Sequence, residues 1–292
     1  MGDGIQLSVL KIGYVKINQT WNRGRRMSRK PLVLYHAGCA DGFSAAWVVH
    51  HLGIDADFRP VDYEHGPPDV TGRDVMIFDF AYPREALLAM KERAASLVVL
   101  DHHKTHAEVL SDLPFCRFEM EKSGGQMAWE YFKNGEPPPW LVAYTEDRDL
   151  WRWALPHSRE VNAALRSYPR KLDIWDDLAK RDVLELMAEG KAIARYEDQL
   201  VKAIVRLARE IEFDGHKVLA VNTSVLLSEV AGKLAEGRPF GIAWFTRADG
   251  KRSVALRSRE GGIDVSEVAK RHGGGGHRNA SGFIAEAKDF DY

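Results

Sequence analysis

The chain has 292 residues, 45% hydrophobic and 28% charged, with 41 Lys and Arg against 42 Asp and Glu for a formal net charge of -1. That size and balance suit two compact domains and exclude a global basic field that would hold the protein on long nucleic acid; a local basic groove for a short anion stays open. Two cysteines, Cys39 and Cys116, exclude a disulfide framework, and with neither a bilayer-length apolar run nor a secretory leader a cytoplasmic protein is expected, with no membrane partner.

Residues 6–15 read as a short strand, followed by the polar basic break Asn22-Arg23-Gly24-Arg25-Arg26. Residues 1–30 are either a true N-terminal arm or an extension upstream of a start at Met27. From Pro31 strands and helices alternate. Leu32-Val33-Leu34-Tyr35 is a continuous apolar run of the kind buried in a parallel sheet. A helix is predicted over 43–52, a weak strand over 58–61, a strand over 74–78, a helix over 84–96 and a strand over 97–100. This rhythm implies a doubly wound, mostly parallel sheet. Ser123 caps a predicted helix over 125–132. Pro137-Pro138-Pro139 breaks the chain, and 140–145 begins a new helix or strand. Residues 171–210 read as a long, charged, mostly helical connector. Beyond Glu212 a smaller α/β domain follows, with strands over 217–222, 240–246 and 252–257 and helices over 228–236 and 265–271. It ends in His272-Gly273-Gly274-Gly275-Gly276-His277.

Three of the apolar strands stop at groups that bind metals: His36 with Asp41, then Asp79, then Asp101-His102-His103. Ligands of open α/β sheets gather at the carboxyl ends of strands. A fourth cluster, Glu146-Asp147-Arg148-Asp149, follows another apolar stretch. Carboxylates and imidazoles crowded at one sheet edge would repel or desolvate each other unless a cation neutralises them. Mixed N and O donors suit Mn²⁺ or a similar divalent ion, and this many donors suit two ions, an arrangement fitted to displacement at phosphorus. Each piece alone is weak, since a strand-end His is more often structural and a strand-end Asp is often a cap or turn residue. The Asp-His-His triplet is stronger, because two adjacent imidazoles beside a carboxylate have no packing use. His50-His51 is the control, a pair inside a predicted helix and read as structural. The glycine run has conformational freedom that is costly to fix. It reads either as backbone closely approaching an anion or as a flexible loop.

Together these segments resemble the DHH phosphoesterase superfamily, in the subgroup with a C-terminal DHHA1 domain. The resemblance covers the chain from Pro31 onward. His36 and Asp41-Gly42 match the first motif and Asp79 the second. Asp101-His102-His103 is the third, and Asp147, with Asp149 as the alternative, the fourth. Leu256-Arg257-Ser258, Gly273 through His277, and Ala280-Ser281-Gly282 match the DHHA1 domain. The resemblance implies residues 31–170 as catalytic domain, 171–211 as helical linker and 212–292 as substrate-binding domain. It implies two divalent ions, most simply Mn²⁺. His36 would hold one and Asp41, His102 and Asp147 the other, with Asp79 bridging them and a solvent molecule between them as nucleophile. His103 would stabilise charge on the phosphate, and Asp101 would orient an imidazole. Arg257, Ser258, Gly274, Gly275, Gly276 and His277 would hold substrate from across the cleft. Many members carry Asp-x-Asp in the first motif. Here the spacing gives Cys39-Ala40-Asp41, so Cys39 is either a soft ligand or a small buried residue.

The implied activity is hydrolysis of phosphodiester or phosphomonoester bonds in short nucleotides or oligonucleotides, of nanoRNA, pApA or pAp type. Near-neutral charge favours short substrates, for which Arg166, Arg170, Lys171, Arg257 and Arg259 are candidate groove residues. The alternatives are a pyrophosphatase or exopolyphosphatase, whose relatives generally lack the glycine run, and a nucleotide sensor with a degenerate site. A homodimer is an open option.

Overall fold

The computed structural model describes residues 29–290 and 292. The expectations for residues 6–15 and for Met27 lie outside the described residues. The first sheet has five parallel strands: β1 (Leu32–His36), β2 (Asp57–Val61), β3 (Asp74–Phe78), β4 (Ser96–Asp101) and β5 (Cys116–Phe118), in the order β2-β1-β3-β4-β5. The apolar runs are continuous because both faces are covered. Side chains alternate along a strand, so Val33, Met76, Phe78 and Leu100 enter one core cluster. Leu34, Val75, Ile77 and Val99 enter the other. The direction of winding reverses between β1 and β3, which places the switch point, where such sheets bind ligands, beside His36 and Asp79.

Helices α1 (Ala40–His51), α2 (Arg84–Arg93) and α3 (Lys104–Leu110) follow β1, β3 and β4; α4 (Gly124–Lys133), α5 (Trp140–Asp149) and α6 (Ser158–Ser167) follow β5. Ser123 caps α4 as predicted, its hydroxyl accepting from Gln126 N–H at 3.2 Å. Helices α3 and α6 and strand β5 were not expected. His50 and His51 close α1 away from the switch point and meet Asp176, His50 Nε2 at 3.1 Å.

The stretch expected to be a helical connector is helical, and its first part packs into the first domain while its end packs on the second. It forms α7 (Leu172–Ala179) and α8 (Val183–Val205), and Trp175, Leu178 and Leu186 belong to the first domain's core. Gly190 lets α8 press onto α6: a Cβ there would lie 1.7 Å from the Glu160 carbonyl oxygen. The second sheet then begins with β6 (Arg209–Phe213), a strand where helix was expected. It continues with β7 (His216–Asn222), β8 (Gly241–Thr246), β9 (Arg252–Arg257), β10 (Gly275–His277) and β11 (Ala280–Ala285), ordered β10-β11-β9-β8-β7-β6. Only β7 and β8 pair in parallel. Helices α9 (Leu227–Leu234) and α10 (Val265–Arg271) complete this mixed α/β domain. Ion pairs join the two domains around the switch point: Lys104 with Asp264 (2.8 Å) and Glu267 (2.9 Å), Lys270 with Glu108 (2.6 Å), and Arg148 with Glu229 (3.0 Å). No described helix is long and apolar enough to cross a membrane.

Candidate metal centre

The ends of β1, β3 and β4 bring His36, Asp79 and the Asp101-His102-His103 run to one edge of the sheet. Asp79 directly follows β3 with φ 54°, a left-handed turn that Asp tolerates better than most residues. Asp41 enters from the first turn of α1. Gly42 makes that approach possible, since a Cβ there would lie 2.7 Å from the His36 carbonyl oxygen. Asp79 faces two ways. Its Oδ1 is 3.1 Å from His102 Nε2 and 3.8 Å from His103 Nδ1, while its Oδ2 is 3.5 Å from His36 Nδ1. Asp41 Oδ2 and Asp149 Oδ2 each lie 3.5 Å from His102 Nε2.

Two donor sets share Asp79, one with Asp41 and His102 and the other with His36 and His103; His102 with His103 and His277, and Asp101 with His103 and His106, are also close enough to hold an ion. A divalent ion with ligands at ~2.1 Å sets neighbouring donor atoms ~3.0–3.4 Å apart in octahedral or tetrahedral geometry. The spacings here, 3.1 to 3.5 Å in the first set, fit that edge length. His36 Nδ1, Asp79 Oδ2 and Asp149 Oδ2 are buried without a hydrogen-bond partner. Such orphans are costly unless something else binds them. The mixture of imidazole and carboxylate fits Mn²⁺, Co²⁺ or Zn²⁺ better than Ca²⁺.

The electrostatics show the same demand for a cation. Burial, then the Asp149 and Asp79 charges, push the Asp41 carboxyl up to about 8. Burial also raises Asp149. Burial works against the charged form of Asp79 too, yet the imidazoles of His102 and His36 hold it low. Burial works against a charged His102, but Asp79, Asp149 and Asp41 overcome it and raise the imidazole to about 10.

Asp101 organises the histidines without joining either set. It is fully buried and accepts from the backbone N–H of His102 (2.8 Å) and His103 (3.3 Å), from His103 Nδ1 (2.7 Å) and from His106 Nδ1 (2.5 Å). His106 has no counterpart in the sequence reading; its place one turn into α3 is the signal that could have found it. A second missed feature is Gly124-Gly125 at the start of α4. Their N–H groups donate to the two oxygens of Asp41, at 2.5 and 2.9 Å. A Cβ on Gly124 would lie 2.8 Å from Asp79 Cβ, so only glycine lets the helix start this close.

Asp147 is not brought into the cluster, which corrects that expectation. Its carboxylate turns back and accepts from the N–H groups of Ala154 (2.9 Å) and Leu155 (3.3 Å). Two residues on along α5, Asp149 faces His102 instead. Cys39 belongs to none of the clusters able to hold an ion among the described residues. Its Sγ caps α1 by accepting from Asp41 N–H at 3.3 Å. Burial, then the Asp79, Asp149 and Asp41 charges, push its thiol far up.

From the second domain, His277 reaches the cluster. Its ring centroid lies 4.5 Å from that of His103 and 4.4 Å from that of His102. The glycine run is neither a flexible loop nor an open cradle. Gly275 and Gly276 form β10, paired with β11. A Cβ on Gly274 would lie 2.1 Å from the Gly282 carbonyl oxygen, and one on Gly275 2.7 Å from Thr105 Oγ1 in α3. The close approach these glycines permit is therefore to the chain itself, and it seats His277. Arg257 is half-buried beside the cluster and donates to Ser228 Oγ (2.7 Å) and the Leu256 carbonyl (2.8 Å), while its Nε is unpartnered. Ser258 faces away: its hydroxyl donates to Asn279 Oδ1 at 3.1 Å. Among the other groove candidates, Arg166 pairs with Glu197, Arg259 with Glu236, and Arg170 donates to the Gly38 carbonyl.

Two α/β domains meet at this cluster, and residues 216–291 match the DHHA1 domain family. The DHHA1 match and the relatives below support a place in the DHH–DHHA1 superfamily. It is 36% identical over 229 residues to the oligoribonuclease NrnB of Bacillus subtilis (strain 168), covering 66% of this chain and 56% of that protein. It is 28% identical over 282 residues to protein R106 of Acanthamoeba polyphaga mimivirus, covering 86% of this chain and 66% of that one. The chain thus spans less than two thirds of either relative. The pGpG-specific phosphodiesterase PggH of Vibrio cholerae shares the fold, with a TM-score of 0.50 at 15% identity over 89% of this chain and 95% of that one.

Proposed function

We propose that the chain is a metal-dependent phosphodiesterase of short oligonucleotides, working with two divalent ions, most simply Mn²⁺, in the cytoplasm. The observation that carries this reading is Asp79, whose two oxygens face two different imidazole sets. When bound, such ions supply an activated water and neutralise charge on the phosphate. The residues of the chain supply positioning and charge. Asp41 is oriented by Gly124 and Gly125 before any ion arrives, which reduces the reorganisation that binding requires. His103 is tied through Nδ1 to Asp101, which leaves Nε2 for substrate. That Nε2 is placed to donate to a non-bridging phosphate oxygen, while burial disfavours the charged imidazole and Asp101 favours it. His277 is driven far down by burial and by the charges of His103 and His102. It remains neutral and donates from the opposite wall.

The name of the B. subtilis relative, an oligoribonuclease, and the near-neutral net charge of this chain support short substrates over long ones. The test is a panel of pAp and 5′- or 3′-labelled RNAs of two to five nucleotides, each with Mn²⁺, Mg²⁺, Co²⁺ and Zn²⁺. Release of mononucleotides with Mn²⁺, abolished by chelation, is expected. Tight nucleotide binding with no turnover under any ion would replace this reading with that of a sensor.

A further inference from the structure

A cavity of about 290 Å³ opens at the carboxyl ends of β1 and β2, lined by Ala37, Arg59, Val61, Asp62, His65 and Tyr82 among others. It adjoins the metal centre through the chain. Ala37 follows His36, and Asp62 precedes Tyr63, whose ring lies 5.7 Å from that of His36. Three features give it a chemical preference. The first is Tyr82, only 3% exposed, whose hydroxyl has no hydrogen-bond partner. The second is Arg59. Arg59 is exposed at the mouth of the cavity, and no ion pair to it occurs among the described residues, whereas Arg73 pairs with Asp57 and Arg84 with Asp112. Burial pushes the Tyr82 phenol up, the Arg59 charge pulls it back and the Asp62 carboxylate of the same cavity pushes it up again, so the three groups share one electrostatic environment. The third is the rim. Asp62 Oδ1 accepts from the N–H groups of Glu64 (3.0 Å) and His65 (3.1 Å), and Glu64 is tied to Arg247 of the second domain. The loop is held before a ligand arrives.

An unpaired guanidinium and an unsatisfied buried hydroxyl in one recess call for an anionic oxygen acceptor. We propose that this cavity is an anion subsite in which Arg59 and the Tyr82 hydroxyl hold the phosphate of the nucleotide adjacent to the scissile linkage. The inference rests on the phosphodiesterase reading and narrows it: the preferred substrate carries a second phosphate next to the one cleaved, as an oligonucleotide or a 5′-phosphorylated dinucleotide does. The recess exceeds the volume of a phosphate, which leaves room for part of the attached sugar.

The test compares KM on a 5′-phosphorylated RNA trinucleotide with KM on bis(p-nitrophenyl) phosphate, which carries one phosphate, using the whole chain with Mn²⁺. Arg59→Gln should raise the ratio of the two KM values about tenfold, as loss of a charge-assisted hydrogen bond would. Tyr82→Phe keeps the packed ring and should move the ratio the same way by less. An unchanged ratio in both variants overturns the subsite. Anisotropy titration of labelled trinucleotide, with Ca²⁺ replacing Mn²⁺, separates the two readings. If the wild type turns nothing over but binds, and Arg59→Gln binds about tenfold more weakly, the subsite stands and the phosphodiesterase reading falls. If the wild type turns over and Arg59→Gln binds equally well, the subsite alone falls.

Discussion

The imidazole of His277 lies stacked on that of His103, centroids 4.5 Å apart and planes 21° from parallel, although one comes from each domain. One wall of the proposed active site is therefore delivered by the second domain, through glycines that fit β10 against Thr105 and β11. His277→Ala is expected to lower kcat/KM about a hundredfold, the scale of losing one transition-state donor, while the number of Mn²⁺ ions bound stays unchanged. A fall in bound Mn²⁺ would make His277 an ion ligand instead.

Asp147 and Asp149 lie two residues apart on α5 and do different work. Asp147→Ala strips the partner from two N–H groups at a buried site. It should destabilise the fold by about 1–3 kcal/mol with Mn²⁺ affinity kept. Asp149→Asn should leave the thermal midpoint of the metal-free protein near or above that of the wild type and weaken Mn²⁺ binding. Calorimetric titration and thermal melts of both variants check this; the reverse pattern would restore Asp147 as the ligand.

Protons and metal compete for the same atoms. Asp41 is raised to about 8 and His102 to about 10, both above their unfolded values. For each, the protonated form favours folding, and that contribution is lost as pH rises through the folded pKa. Asp79 is held low, so its contribution is already complete above about pH 5. Between about pH 6 and pH 9 the metal-free protein should lose stability, and the rise in thermal midpoint on adding Mn²⁺ should grow. Melting curves with Mn²⁺ and with EDTA measure it. A metal-induced shift that does not change with pH would contradict the proton count.

Much of this site was legible because its signal is local. An apolar run that stops at His36, Asp79 or Asp101 identifies strand, strand end and donor together, and each falls within one residue of the observed strand end. What stayed hidden depends on tertiary approach. Residues two apart on a helix point to different sides, so choosing Asp149 over Asp147 requires knowing which side of α5 meets the sheet. Gly124 and Gly125 resemble any helix start until Asp41 is placed against them. The strand β10 is mostly glycine, with no β-propensity to announce it. It is fixed by β11 on one side and by Thr105 and α10 around it. Residues 171–210 read as a charged connector because the side chains they bury in the first core, Trp175, Leu178 and Leu186, are widely spaced.

The most direct test of the central claim is a count of tightly bound Mn²⁺ per chain, by equilibrium dialysis, for the wild type and Asp79→Ala, with turnover of a short RNA followed in the same samples. The account predicts two ions per wild-type chain. In Asp79→Ala it predicts loss of at least one ion together with a fall in turnover of about a thousandfold or more. Full turnover by a chain holding no ion, or Asp79→Ala keeping both ions and near-normal turnover, would contradict it.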